Sequence, residues 1–329
     1  MAAHDVMPDI ELFQPVTVED ASAIAARLGD KGWILAGGQD TYGWLKDRAK
    51  SPQAMVDLAA IDNIRGIEDL SGGLRIGAMT TLREVSRHPL VRERFSLLAE
   101  AAGKVASPQI RNQGTLGGNL AQDARCWYYR RGLSCYRAGG NICYANSPEG
   151  MNREHAILEA SRCVAVSPSD TGTALVALDA TMVIQNGAET RRLPAGEFFV
   201  GPAVNITHMT ALREGDILTA IELPAEWAGA EFYFEKVADR DVWDFALVSI
   251  AAAFKSSGST ITDARLVCGA VSCVPYRLES VERAIVGKAR SEETGEAAAS
   301  LASQGARPLN YNHFKAPLME NLVKRALRV

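Results

Sequence analysis

No apolar run in this chain approaches the roughly 18 residues that a membrane-spanning helix needs, so none of it is expected to cross a bilayer. A basic excess is missing too: 35 Lys and Arg stand against 39 Asp and Glu, for a net charge of −4. Nucleic-acid backbones are bound through clustered cations, and this balance argues against such a partner. The first residues, MAAHDVMPDIELFQP, hold acids where an export signal would hold basic residues and an apolar run. The expectation is a chain with no export signal of its own, cytoplasmic by default, or periplasmic if a partner subunit carries a signal. Its cysteines are therefore read as thiols or metal ligands before disulfides. Five scattered histidines form no metal cluster, and no Ser–His–Asp or Cys–His constellation is evident. The fingerprint G-x-G-x-x-G is absent as well, which disfavours an ordinary Rossmann domain.

What is present suits a globular protein of two or three domains: 329 residues, 47% hydrophobic and 22% charged. Thr17-Val18-Glu19-Asp20 has capping-box spacing, with Ala21, Ile24, Ala25 and Leu28 following at helical period. A short strand at 33–36 then meets Gly37-Gly38 and a helix from about 40 to 49. Such a strand–glycine–helix unit is either a phosphate-binding turn or a tight βα turn. Further along come a strand at 54–57 and a hairpin of 64–68 with 74–78. Thr81-x-x-Glu84 opens one helix and Pro89 a longer one. A second hairpin turns at Asn186-Gly187, and 224–230 reads as a linker. Beyond it, strands near 231–237, 246–254 and 261–271 precede helices near 278–286, 292–301 and 316–327. Strands first and helices last predict a sheet with helices on one face.

The chemistry-bearing stretch runs from Gly114 to Asp170. It opens on Gly114-Thr115-Leu116-Gly117-Gly118-Asn119, a turn whose amides can approach a ligand, and closes on Ser167-Pro168-Ser169-Asp170. Between them lie four of the six cysteines, spaced C-x8-C-x7-C-x19-C: Cys126, Cys135, Cys143 and Cys163. Zinc knuckles use close pairs, which are lacking here, whereas iron–sulfur cubanes accept loop-borne thiolates at irregular spacing. Arg125, Arg130, Arg131 and Arg137 would balance a cluster's negative charge, and Trp127, Tyr128, Tyr129 and Tyr136 would shield it. Spacing alone leaves open a cluster, a zinc site, or four free thiols or two disulfides. Cys268 and Cys273 read as small buried hydrophobes.

These pieces resemble the flavoprotein (medium) subunit of molybdenum hydroxylases of the xanthine oxidase and aldehyde oxidoreductase type. The matching residues are Ala36-Gly37-Gly38, the run from Ile110 through Arg111-Asn112-Gln113-Gly114-Thr115 to Leu120, Ser167 to Asp170, and Phe234-Glu235-Lys236 through Asp244 to Val248. With Glu159-Ala160-Ser161-Arg162-Cys163, the insert is similar to that of a subset with an extra 4Fe–4S cluster. That subset includes 4-hydroxybenzoyl-CoA reductase and periplasmic aldehyde oxidoreductase.

The resemblance implies an α+β fold: a two-part FAD-binding domain of the PCMH type at 1–225, with the iron–sulfur insert at about 121–166, then a smaller α+β domain at 230–329. It implies FAD held by Leu35, Ala36, Gly37, Gly38, Gln39 and Asp40 and by Gly114, Thr115, Gly117, Gly118 and Asn119. Asp170 and Lys236 would face the ribityl and isoalloxazine portion, and Cys126, Cys135, Cys143 and Cys163 would bind the cluster. The implied role is an oxidoreductase subunit passing electrons between 2Fe–2S clusters of a small partner and an outside acceptor or donor. Substrate chemistry would belong to a large molybdopterin subunit, in a heterotrimer or a dimer of heterotrimers. Two rivals remain at this stage, a stand-alone FAD-dependent oxidase and a zinc-stabilised binding module. Neither the substrate nor the acceptor is legible in the sequence.

Overall fold

A computed structural model describes Met7 and residues 9–328. Residues 1–6 and 8, part of the amino-terminal stretch behind the export-signal expectation, lie outside them. The architecture is α+β, as expected, and rests on three sheets. β1 (Glu11–Phe13), β2 (Gly32–Leu35) and β3 (Ala54–Asp57) form a small parallel sheet in the order β1-β3-β2. β4 (Ile67–Leu70), β5 (Gly73–Gly77), β6 (Thr181–Asn186), β7 (Glu189–Pro194) and β8 (Ile217–Leu223) build an antiparallel sheet in the order β4-β5-β8-β6-β7. The third, also antiparallel, runs β12-β11-β10-β9 from β9 (Glu231–Val237), β10 (Val248–Ser257), β11 (Thr260–Gly269) and β12 (Tyr276–Arg277).

Local signals account for many of the element ends. The Thr17 hydroxyl accepts the Asp20 amide at 3.1 Å and caps the helix Val18–Leu28. Thr81 and Glu84 complete a reciprocal capping box on Leu82–Arg87. The helix expected from Pro89 is two helices, Pro89–Arg94 and Ser96–Gly103, because Phe95 leaves helical geometry at φ −139°.

Three segments depart from expectation. The glycine run at 114–119 is not an open turn but enters a helix, Leu116–Ala121, capped by the Thr115 hydroxyl. Ser169 caps another helix, Asp170–Ala177, whose apolar face the sequence pattern does not set apart from the hairpin that follows. The stretch at 224–230 is packed rather than free: Trp227 is buried and its indole N–H donates to Asp179 at 3.0 Å.

One strand ties the two halves of the molecule together. Successive side chains of β10 point to opposite faces. Ile250, Ala252 and Phe254 face the carboxy-terminal helices Glu279–Ile285, Glu292–Ala299 and Lys315–Leu327. Ala251 and Ala253 join the core built on Ser96–Gly103 and Asp170–Ala177. All five are fully buried, so two cores share this strand.

Candidate functional site

The turn after β2 carries Ala36, Gly37, Gly38, Gln39 and Asp40 into a short helix, Thr41–Lys46. Gly38 sits at φ 72°, where a side chain would be strained. The amides of Gly37, Gly38, Gln39 and Asp40 have no acceptor among the described residues. This turn stands directly against the second glycine run. A Cβ on Gly37 would lie 2.2 Å from the Gln113 carbonyl oxygen, and one on Gly117 would lie 2.8 Å from Ala78 Cβ. The glycines let these segments close together.

The second run does not offer the expected cradle of free amides. Gly114 donates to Ile110 at 2.7 Å, Gly117 to Ala78 at 2.8 Å and Asn119 to Thr115 at 2.9 Å. The Gly118 amide goes to the Thr115 hydroxyl at 3.1 Å. Helix formation and its capping consume these donors, leaving only the Thr115 amide of that run unassigned. The Asn119 side chain remains available: its Oδ1 accepts from Ser169 at 2.7 Å and from Thr171, while Nδ2 has no partner among the described residues.

Between the two runs lies a cavity of about 370 Å³, floored by Leu58, Met79, Leu82, Val105 and Ile110. Every residue assigned to the flavin from sequence lines it except Leu35. In its lining Lys236 Nζ lies 2.6 Å from Asp170 Oδ2 and 3.1 Å from the Lys104 carbonyl. Both charged side chains are almost sealed, at 5% and 6% exposure. Burial pushes the Asp170 carboxyl above its ordinary value, with the ammonium opposing that rise.

A second cavity, of about 1010 Å³, shares Arg125, Asp170, Trp243, Asp244 and Phe245 with the first. Its other walls include Cys126, Trp127 and His155 of the cysteine insert, Ser249 and Gly269 of the third sheet, and Ala270 just after β11. Sequence reasoning placed neither Trp243 nor Met79 at the site. Trp243 is held by its own backbone: at φ 79° its amide donates 2.9 Å to Ala106, itself at φ 43°. No composition signal marks such a residue.

The insert is mostly loop, with one helical turn at Trp127–Arg130 and a tighter one at Tyr136–Ala138. It is anchored to the first glycine turn through Asp40. That carboxylate accepts from Trp44 Nε1 at 3.0 Å, from Arg130 at 2.8 Å and from Arg125. Trp44 is fully buried against Tyr129, with the Arg130 guanidinium 4.0 Å from its ring centre.

All six cysteines are free thiols, which sets aside the disulfide reading. Cys126, Cys135 and Cys163 pack in one apolar cluster with Trp44, Tyr129 and Met209. Burial pushes the Cys126 thiol up to about 11, with smaller contributions from Cys163 and Cys143. Buried Arg137 donates to the Thr207 carbonyl at 3.2 Å and to Asp123 at 3.4 Å, with Cys163 near enough to favour its charged form. Among the described residues, no group of three or more His, Cys, Asp or Glu side chains is arranged to hold a metal ion. Cys268 and Cys273 are buried, as expected, and burial pushes both thiols up to about 12. Nor is any helix among the described residues long and apolar enough to cross a membrane.

Comparison with known proteins adds the family context. Residues 8–226 match the FAD binding domain in molybdopterin dehydrogenase, and residues 233–329 match the CO dehydrogenase flavoprotein C-terminal domain. The aldehyde oxidoreductase FAD-binding subunit PaoB of Escherichia coli is 31% identical, over 96% of each chain. The carbon monoxide dehydrogenase medium chain of Hydrogenophaga pseudoflava is 29% identical, over 98% of this chain and 97% of its own. A solved structure of that organism's carbon monoxide dehydrogenase, lacking the Mo-pyranopterin moiety, superimposes at a TM-score of 0.78 with 28% identity, covering 98% of this chain and 97% of that one.

Proposed function

From the premise that this chain belongs to the FAD-binding medium-subunit family of the xanthine oxidase and CO dehydrogenase type, we propose that it serves electron transfer in a molybdenum hydroxylase complex. The observation that carries the flavin part is the crevice between the two glycine segments. Its lining includes the unpartnered amides of Gly37, Gly38, Gln39 and Asp40, the free Nδ2 of Asn119, and the sealed Asp170–Lys236 pair. These groups fit FAD. A diphosphate takes donors that lack protein partners, and Ala36 to Asp40, backed by Leu35, would supply them together with Thr115 and Asn119. Gly114, Gly117 and Gly118 act by letting the walls close. Asp170 and Lys236 would face the ribityl and ring portion, where a cation favours added negative charge. Bound there, FAD supplies exchange of electron pairs with an outside acceptor or donor and of single electrons with iron–sulfur centres.

Cys126, Cys135, Cys143 and Cys163 would bind a 4Fe–4S cluster. Four unpaired thiols on one lobe support this reading, as do the apolar cluster shared by three of them and Arg137 beside Cys163. A cubane spreads its four ligands around a cage, so the thiolates need not converge on a point as they do at zinc. The domain division proposed is 1–225, with the insert at 121–166, and 230–329. Its partners would be a large molybdopterin subunit and a small subunit with two 2Fe–2S clusters, paired as a dimer of heterotrimers.

Flavin, iron, acid-labile sulfide and zinc per chain, measured on complex purified without oxygen, test both parts. About one FAD with four iron and four sulfide is expected. Flavin without iron would overturn the cluster and keep the family; stoichiometric zinc without flavin would overturn both, and substrate turnover by the isolated chain would favour a stand-alone oxidase.

A further inference from the structure

The histidines escaped notice in the sequence because they are scattered, yet one of them meets the insert. His155 Nε2 lies 3.2 Å from Cys126 Sγ, and the ring is only 3% exposed. The contact is built from the other half of the molecule. Asn312 Nδ2 donates to the His155 carbonyl at 3.0 Å, and Lys315 Nζ donates to the Glu154 carbonyl at 3.1 Å and the Ala270 carbonyl at 2.6 Å. Asn312 and Lys315 are both fully buried. No carboxylate pairs with Lys315 at ion-pair distance among the described residues, so carbonyl oxygens alone receive its ammonium. Two polar side chains are thereby committed to fixing the backbone on either side of one imidazole.

The ring's own bonding sets the direction of the contact. His155 Nδ1 is buried without a partner. A neutral imidazole carries one proton. A ligating thiolate has no proton to give, so the proton sits on Nε2 and the orphaned Nδ1 is a lone pair rather than an unmet donor. We propose that His155 donates a hydrogen bond to the Cys126 thiolate, and that Asn312 and Lys315 are positioning residues that hold it there, an assignment that rests on the cluster proposed above. A donor on a ligating sulfur withdraws electron density and favours the reduced cluster, because hydrogen bonds to the sulfurs help set the potential. The carboxy-terminal domain would thus tune a centre to which it contributes no ligand.

The test uses the intact complex, purified anaerobically, with iron and sulfide counted and the cluster's reduced fraction followed by electron paramagnetic resonance at fixed potentials. Wild type without iron or sulfide would sink the cluster and this inference together, before any variant is made. Given a loaded wild type, His155→Phe should keep its iron and show about a tenfold lower ratio of reduced to oxidised cluster at one potential, about 59 mV for a one-electron couple. His155→Gln, which retains an N–H donor, should fall between the two. An unchanged ratio in His155→Phe overturns the hydrogen bond, as does loss of iron in both variants. Lys315→Met should shift the ratio the same way by less, and the double variant no further than His155→Phe alone. A larger shift in the double variant would mean that Lys315 acts through its own charge, and the positioning role fails.

Discussion

The ammonium of Lys236, on β9, rests 2.6 Å from the carboxylate of Asp170, at the start of a helix 66 residues earlier, and almost no solvent reaches either side chain. Burial opposes ionisation of the carboxyl, and the pairing opposes burial. Breaking such a pair from one side leaves a charge with nothing to compensate it. Lys236→Met should therefore cost about 3–5 kcal/mol, while the double change with Asp170→Leu should recover much of that. Chemical denaturation of Lys236→Met, Asp170→Leu and the double variant checks this, and flavin content read on the same samples should fall whenever either charge is lost.

Gly37 faces the carbonyl of Gln113 so closely that even a methyl group does not fit. Gly37→Ala should force the two walls of the crevice apart, at about 1–3 kcal/mol, with weakened flavin retention. Gly196→Ala is the matched control: it meets open space in the short helix Ala195–Phe198 and should be neutral or slightly stabilising. Melting temperature and bound FAD after gel filtration separate the two.

Cysteines in two settings should respond differently. Cys135→Ser should remove iron and leave most of the flavin in place. Cys268→Ser puts a hydroxyl into a wholly apolar core, costing about 1–3 kcal/mol with no change in iron. Metal analysis alongside thermal melts would refute the division if Cys268→Ser proved to be the change that loses iron.

Lys315 gives a pH signature. Burial lowers its ammonium from 10.5 to about 7, so between those values the unfolded chain binds more protons than the folded one. Stability contributed at this site therefore rises as pH climbs from about 7 towards 10.5. The burial penalty is fully present below about 7. Lys315→Met should abolish that rise, so the gap in denaturation midpoint between wild type and variant should change between pH 7 and pH 9. A constant gap would refute it.

Much of this was legible in advance because it is local. Capping at Thr17 and Thr81, the Asn186-Gly187 hairpin and the strands-then-helices order of the last hundred residues each depend on neighbours a few positions apart. The glycine run at 114–119 misled for the same reason. Glycine signals a turn locally, but here Ala78 and Thr80 accept the Gly117 and Leu116 amides and allow a helix where propensity disfavours one. The contacts that complete the candidate site were beyond reach. Trp243 answers to Ala106, His155 to Cys126 and Asn312, and Arg125 to Asp40, across separations that no periodicity encodes.

β10 has a consequence for how the chain tolerates change. From Ile250 to Phe254, even-numbered residues lie in one core and Ala251 and Ala253 in the other, so this part of the strand has no spare face on which substitutions can drift. A slip of one residue would put either Ala253 and Ser249 or Lys255 and Ala251 in the places of Phe254 and Ile250. The two halves are therefore locked to a common fate: cutting near residue 230 would strip each of a wall, and heat should melt them as one.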